Sequence, residues 1–208
     1  MPKVVDHERR REELADAALT IIARHGMRGV TTRAVAVEAG WSTGVLSHYF
    51  GNLNDLLLAA LRRAAEVQGR IFRERRSQAP DDVVERLRLL VESTLPLDER
   101  RVALTRIFAV YYAEVGVNPQ AREDVADYQD NFRRMVERIM AAGQAEGAIP
   151  PGRDPAVMAM DLVALADGLA IHAVIDPQIA ERLREEERPG ERIVREVLGL
   201  GAHDTATP

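Results

Sequence analysis

Apolar positions along the chain recur almost everywhere at intervals of three and four, and hardly anywhere at intervals of two. That period belongs to helices with one buried face, so the spacing predicts an all-α protein. Over residues 8–25, Leu14, Ala17, Ala18, Ile21 and Ile22 form one stripe, which Gly26 and Gly29 end. Thr31 is placed to cap a short helix through Glu38, with Val30 as its staple, and Ala39-Gly40 breaks it. Ser42 is placed to cap a third short helix through Tyr49. After Gly51-Asn52 a longer helix runs to about residue 75, capped by Asn52 or Asn54, with Leu53, Leu57, Leu61, Ala64 and Ile71 along one side.

Ser77-Gln78-Ala79-Pro80 reads as a linker, and Asp81 as the cap of a fifth helix. A sixth is expected over 99–115, closed by 116–119, and a seventh over 120–146. The stretch 147–155 holds three prolines and reads as a loop. An eighth helix, 156–175, is apolar nearly all round, so it must bury more than one face. A charged segment at 181–188 precedes a last helix at 191–198, and 201–208 is expected to fray. About nine helices result. Three of these helices fall within residues 1–52, and the rest within 53–208.

Charge sharpens this division. Residues 1–79 carry 13 Lys+Arg against 9 Asp+Glu, while the whole chain has a net charge of −5, so the remainder is acidic. A basic head on an acidic body suits a nucleic-acid reader, although solvated charge varies this much by chance. The absence of cysteine excludes disulfides, thiolate zinc sites and a cysteine nucleophile. The first residues lack the apolar core of a secretory signal, and no uninterrupted apolar run approaches the ~20 residues of a membrane span. A cytoplasmic protein without membrane partners is expected.

The segment 31–50 reads TTRAVAVEAGWSTGVLSHYF, two short helices joined by a glycine-containing turn. With the first helix behind them, they make the helix-turn-helix pattern. A recognition helix presents short polar side chains to base edges, and Ser42, Thr43, Ser47 and His48 qualify. Thr43 or Val45 can touch a thymine methyl. Thr31, Thr32 and Arg33 are placed for phosphate, and Tyr49 can donate its hydroxyl to one. Each residue alone reads equally well as a cap or as solvated surface; the segment as a unit is the stronger signal.

Residues 8–65 resemble the N-terminal domain of the TetR family. The long first helix, Gly29-Val30-Thr31-Thr32, Ala39-Gly40, and Leu46…Tyr49-Phe50 followed by Leu56-Leu57 carry that resemblance. The string from Ser42 to Phe50, with Leu95-Pro96-Leu97-Asp98 and Asp167-Gly168-Leu169 downstream, is similar to the branch regulating choline-to-glycine-betaine genes. The resemblance implies a three-helix helix-turn-helix DNA-binding domain over 1–52 and an antiparallel helical bundle for ligand binding and dimerisation over 53–208, in a homodimer, paired through its last two helices on a palindromic operator of double-stranded DNA, that represses until a small-molecule inducer binds the body. It also implies a phosphate-clamping lysine at the start of the fourth helix, where this chain has Leu53; Asn52 or Asn54 is then left to substitute.

In the body, Phe108, Tyr111 and Tyr112 share one helix, and Tyr128 and Phe132 lie four apart on the next. With Glu114, Asp167 or His172 as polar anchors they suit a cationic, choline-like ligand. Read residue by residue, aromatics at this spacing serve packing as readily. Asp167 and His172, inside so apolar a helix, need a partner or a wet cavity. No cofactor, metal or catalytic residue is expected: there is no phosphate-binding glycine loop, no His-x-x-x-His pair and no Gly-x-Ser-x-Gly elbow. The rival reading is a helical scaffold that binds no DNA.

Overall fold

The computed structural model describes residues 3–114 and 119–200, apart from the side chains of 3–6, 111, 114, 121 and 124. The expected loop at 116–118, the frayed end at 201–208, and the side chains of Tyr111 and Glu114 thus lie outside the described residues.

Ten α-helices and no strand occur among the described residues. They are α1 (Lys3–His25), α2 (Thr32–Glu38), α3 (Thr43–Tyr49), α4 (Leu53–Gln78), α5 (Val83–Thr94), α6 (Glu99–Glu114), α7 (Pro119–Ala145), α8 (Pro155–Ile175), α9 (Pro177–Glu185) and α10 (Pro189–Leu198). The helix beyond the nine expected is α9. Asp176 caps it by accepting from the Gln178 amide at 2.9 Å, and Pro177 takes its first position. Helix α1 begins at Lys3 rather than near residue 8. Its first turns carry only the adjacent Val4 and Val5 as apolar residues, and two neighbours set no helical period.

The chain forms two compact units: residues 1–69 with 98–125, and residues 70–97 with 126–208. Packing thus places α6 in the first unit with α1, α2 and α3, and sets no boundary between 52 and 53.

In the first unit Leu14, Ala18 and Ile22 of α1 are fully buried, as are Val35 of α2 and Leu56 of α4. Helix α6 packs along α1, and Arg106 Nη1 donates to the carbonyl oxygens of Ala23 at 3.0 Å and Ile22 at 3.5 Å. Arg63 of α4 grips Asp16 of α1 through two bonds of 2.9 and 3.0 Å, and also pairs with Glu12 and Glu66. The Asp16 bond, above all, raises the guanidinium pKa beyond its ordinary value.

In the second unit Leu87, Leu90, Met140, Met158, Leu162 and Ile193 lead the core. Helices α5 and α10 cross closely at Gly190, where an added Cβ would stand 2.7 Å from the Arg88 carbonyl oxygen. Arg88 bonds Glu85 and Glu92 along α5, and Arg188 joins Glu85 across the sequence.

Among the described residues α8 alone is long and apolar enough to cross a membrane, judged by length and composition. Asp161 and Asp167 interrupt it, so it is not the uninterrupted apolar run of ~20 residues that a membrane span was expected to need. One side of α8, with Met158, Leu162, Ala166 and Ala173, is buried in the second unit's core. The opposite side carries exposed Val157, Met160, Leu165 and Ile175 at helical spacing. The two apolar faces expected of this helix are both present.

Candidate nucleic-acid interface

Helices α2 and α3 are each two turns long, too short to persist alone, and are held by caps and by burial. Thr31 accepts from the Ala34 amide at 3.1 Å, and Ser42 from the Val45 amide at 3.3 Å. Between the helices Gly40 takes φ 73°, a left-handed value that glycine adopts without strain. There the Trp41 amide reaches back to the Ala36 carbonyl at 2.8 Å, which ends α2 with satisfied carbonyls.

Leu46 and Tyr49 bury one side of α3 while Thr43, Gly44, Ser47 and His48 remain exposed on the other. The Ser47 hydroxyl donates to the Thr43 carbonyl at 3.1 Å, so its lone pairs still face outward. Val45 is half-buried. Thr31, Thr32 and Arg33 are exposed together at the start of α2. Asn52 is exposed and caps α4, its Oδ1 accepting from the Asp55 amide at 2.9 Å.

Tyr49 departs from expectation. Its ring is buried, at 9% exposure, and its hydroxyl accepts from Arg10 Nη1 at 3.4 Å. The side chain braces α3 against α1. Arg10 and Arg11 were missed by the sequence reading. Arg11 Nη1 donates to the Tyr49 carbonyl at 2.6 Å, and its guanidinium lies 4.5 Å from the Phe50 ring centroid. It thereby caps the C-terminal end of α3, where a cation meets the negative end of the helix dipole. The one available signal was the run Arg9-Arg10-Arg11 on a helix.

The ligand candidates divide between the units. In the first, Phe108 is buried and its ring centroid lies 6.5 Å from that of Tyr112. In the second, Tyr128 and Phe132 stack at 6.3 Å with planes 8° apart. Asp167 is half-buried. His172 is exposed on the outward side of α8, where Leu165 is exposed too. No group of three His, Cys, Asp or Glu that would hold a metal occurs among the described residues.

A glycine-turned pair of short helices, capped, braced from behind by α1 and showing a short-chain polar face, defines a helix-turn-helix transcriptional regulator. Residues 14–60 match the sequence model of the bacterial regulatory proteins of the tetR family, and residues 83–200 match that of the BetI-type transcriptional repressor C-terminal domain. The chain belongs to the TetR family. It is 31% identical over 180 residues to the HTH-type transcriptional regulator PksA of Bacillus subtilis, covering 85% of this chain and 84% of that one. It is 30% identical over 175 residues to the regulator BetI of Paraburkholderia xenovorans, covering 84% and 87%. Among solved structures, a transcriptional regulator from Saccharomonospora viridis in complex with choline superposes with a TM-score of 0.74 at 25% identity, covering 95% of this chain and 97% of that one.

Proposed function

We propose that the protein is a dimeric repressor that reads a palindromic operator through the exposed face of α3 and leaves it when a quaternary ammonium compound of the choline class binds the body. The observation that carries this reading is the two-sided α3: Leu46 and Tyr49 inward, Thr43, Gly44, Ser47 and His48 outward. Thr43, Ser47 and His48 are assigned to base edges, with Val45 offering methyl contact. Thr31, Thr32, Arg33, Ser42, Tyr49 and Asn52 are assigned to the backbone. Residues 1–52 act as the DNA-binding head, and 53–208 as the ligand-binding and dimerisation body.

The ligand class rests on the choline complex of the Saccharomonospora relative and on the stacked Tyr128–Phe132 pair, whose faces suit a cation. Dimerisation is assigned to the outward apolar side of α8, because α10 turns its apolar residues inward and exposes Arg192 and Glu196. A two-fold dimer matches a palindromic operator with half-sites about one turn or a multiple apart. The protein acts in the cytoplasm, without catalysis. A ligand preferring the DNA-free state by ~1–3 kcal/mol lowers operator affinity about 5–150-fold.

The test is gel retardation of the DNA upstream of the gene, with and without choline. Sequence-selective, salt-sensitive retardation that choline relieves is expected. Retardation no stronger than on unrelated DNA would leave a helical scaffold as the better description.

A further inference from the structure

Tyr49 closes α3, and side chains from α1 and α3 gather round it. The His7 ring centroid lies 4.5 Å from that of Tyr49, the His48 centroid 5.3 Å, and the two imidazoles 6.3 Å from each other. Arg10 directs Nη1 to the Tyr49 hydroxyl at 3.4 Å while its guanidinium lies 5.1 Å from the Trp41 ring centroid. His7 and His48 are exposed, and Arg10 is half-buried. Because the hydroxyl accepts from Arg10, it keeps its own hydrogen to donate outward. A guanidinium, a phenol and two imidazoles therefore converge beside the exposed Thr43–His48 face of α3. On another side of Tyr49 a groove of mixed charge is lined by Glu8, Glu12, Asp55 and Glu66 with Arg11 and Arg62.

We infer that His7 and Arg10 of α1, together with Tyr49 of α3, form a binding site for one phosphate of the DNA backbone, with His48 at its rim left to the bases. The inference rests on the reading of α3 as the recognition helix. Phosphate is the chemistry this set recognises: several N–H and O–H donors, one of them permanently cationic, on a surface with an exposed rim. Helix α4 opens with the uncharged, half-buried Leu53, and Arg10 adds a cation from α1 to the one that Arg33 brings from α2. The stacking on Trp41 and the bond to Tyr49 pre-orient the guanidinium, which lowers the entropy lost when phosphate arrives.

The test compares full-length wild-type protein with R10Q and H7Q, measuring operator affinity from low to high KCl alongside thermal unfolding. R10Q is expected to reduce the magnitude of the log K against log salt slope by about 0.9 for each half-site occupied. H7Q, at an exposed position, is expected to weaken operator binding about fivefold with an unchanged unfolding temperature; it carries the test if R10Q does not fold. An unchanged slope in folded R10Q, or wild-type affinity in H7Q, overturns the site and leaves Arg10 a brace for Tyr49 and Trp41. Failure of the wild type itself to select the operator overturns the recognition-helix reading, and the site with it.

Discussion

Arg106 of α6 donates to the carbonyl of Ala23, in the last turn of α1, across 3.0 Å. A helix C-terminus leaves carbonyls without partners and carries partial negative charge, so a guanidinium there satisfies both. The bond ties a helix of the BetI-type region to the helix that braces the DNA-reading pair. Arg106→Met keeps much of the side chain's bulk and removes the donors. It is expected to cost about 1–2 kcal/mol in urea unfolding and to shrink the ratio of operator affinities without and with choline. An undiminished ratio would remove Arg106 from the path between ligand and DNA.

Gly44 stands exposed on α3, and a Cβ added there meets nothing closer than the Ser42 hydroxyl at 3.8 Å. Glycine in a helix costs up to about 1 kcal/mol relative to alanine, and no close neighbour within the fold requires it. On the proposed reading of α3 as the recognition helix, a bare backbone here lets a groove approach. Gly44→Ala is therefore expected to raise the unfolding temperature by a few degrees while weakening operator binding about tenfold or more. Equal or tighter binding would show that the helix meets DNA with another residue foremost.

Glu85 is held below the ordinary carboxylate range, first by its hydrogen bond to Arg88 and then by the charges of Arg88 and Arg188, against the cost of burial. A depressed folded-state pKa means stability that is present above the unfolded value, near 4.3, and lost as pH falls through the folded one. Urea titrations from pH 7 to pH 3 are expected to show Glu85→Gln less stable than wild type at pH 7, with the gap closing toward pH 3. A gap that holds constant across that range would mean the ion pairs contribute no linkage.

Met160 and Ile175 are 52% and 73% exposed on the outward side of α8. A charge there leaves the core of the second unit untouched but is costly in an apolar pairing surface. Met160→Glu is expected to shift the protein from dimer to monomer in sedimentation, with the helical circular dichroism retained and operator binding lost. A dimer that survives the change places the interface elsewhere.

The sequence by itself determined the helical class, the capped pair 31–50 and the doubly apolar eighth helix. These depend on interactions a few residues long: a period of 3.6, an oxygen three residues before an amide, a glycine at a left-handed turn. It did not determine that α6 packs on α1, that Arg63 grips Asp16, or that Tyr49 turns inward while Arg10 and Arg11 take the polar work beside it. Those are contacts between residues 38 to 84 positions apart. Which arginine reaches which oxygen depends on how the helices pack, and a charged run on a polar turn carries no period that would say so.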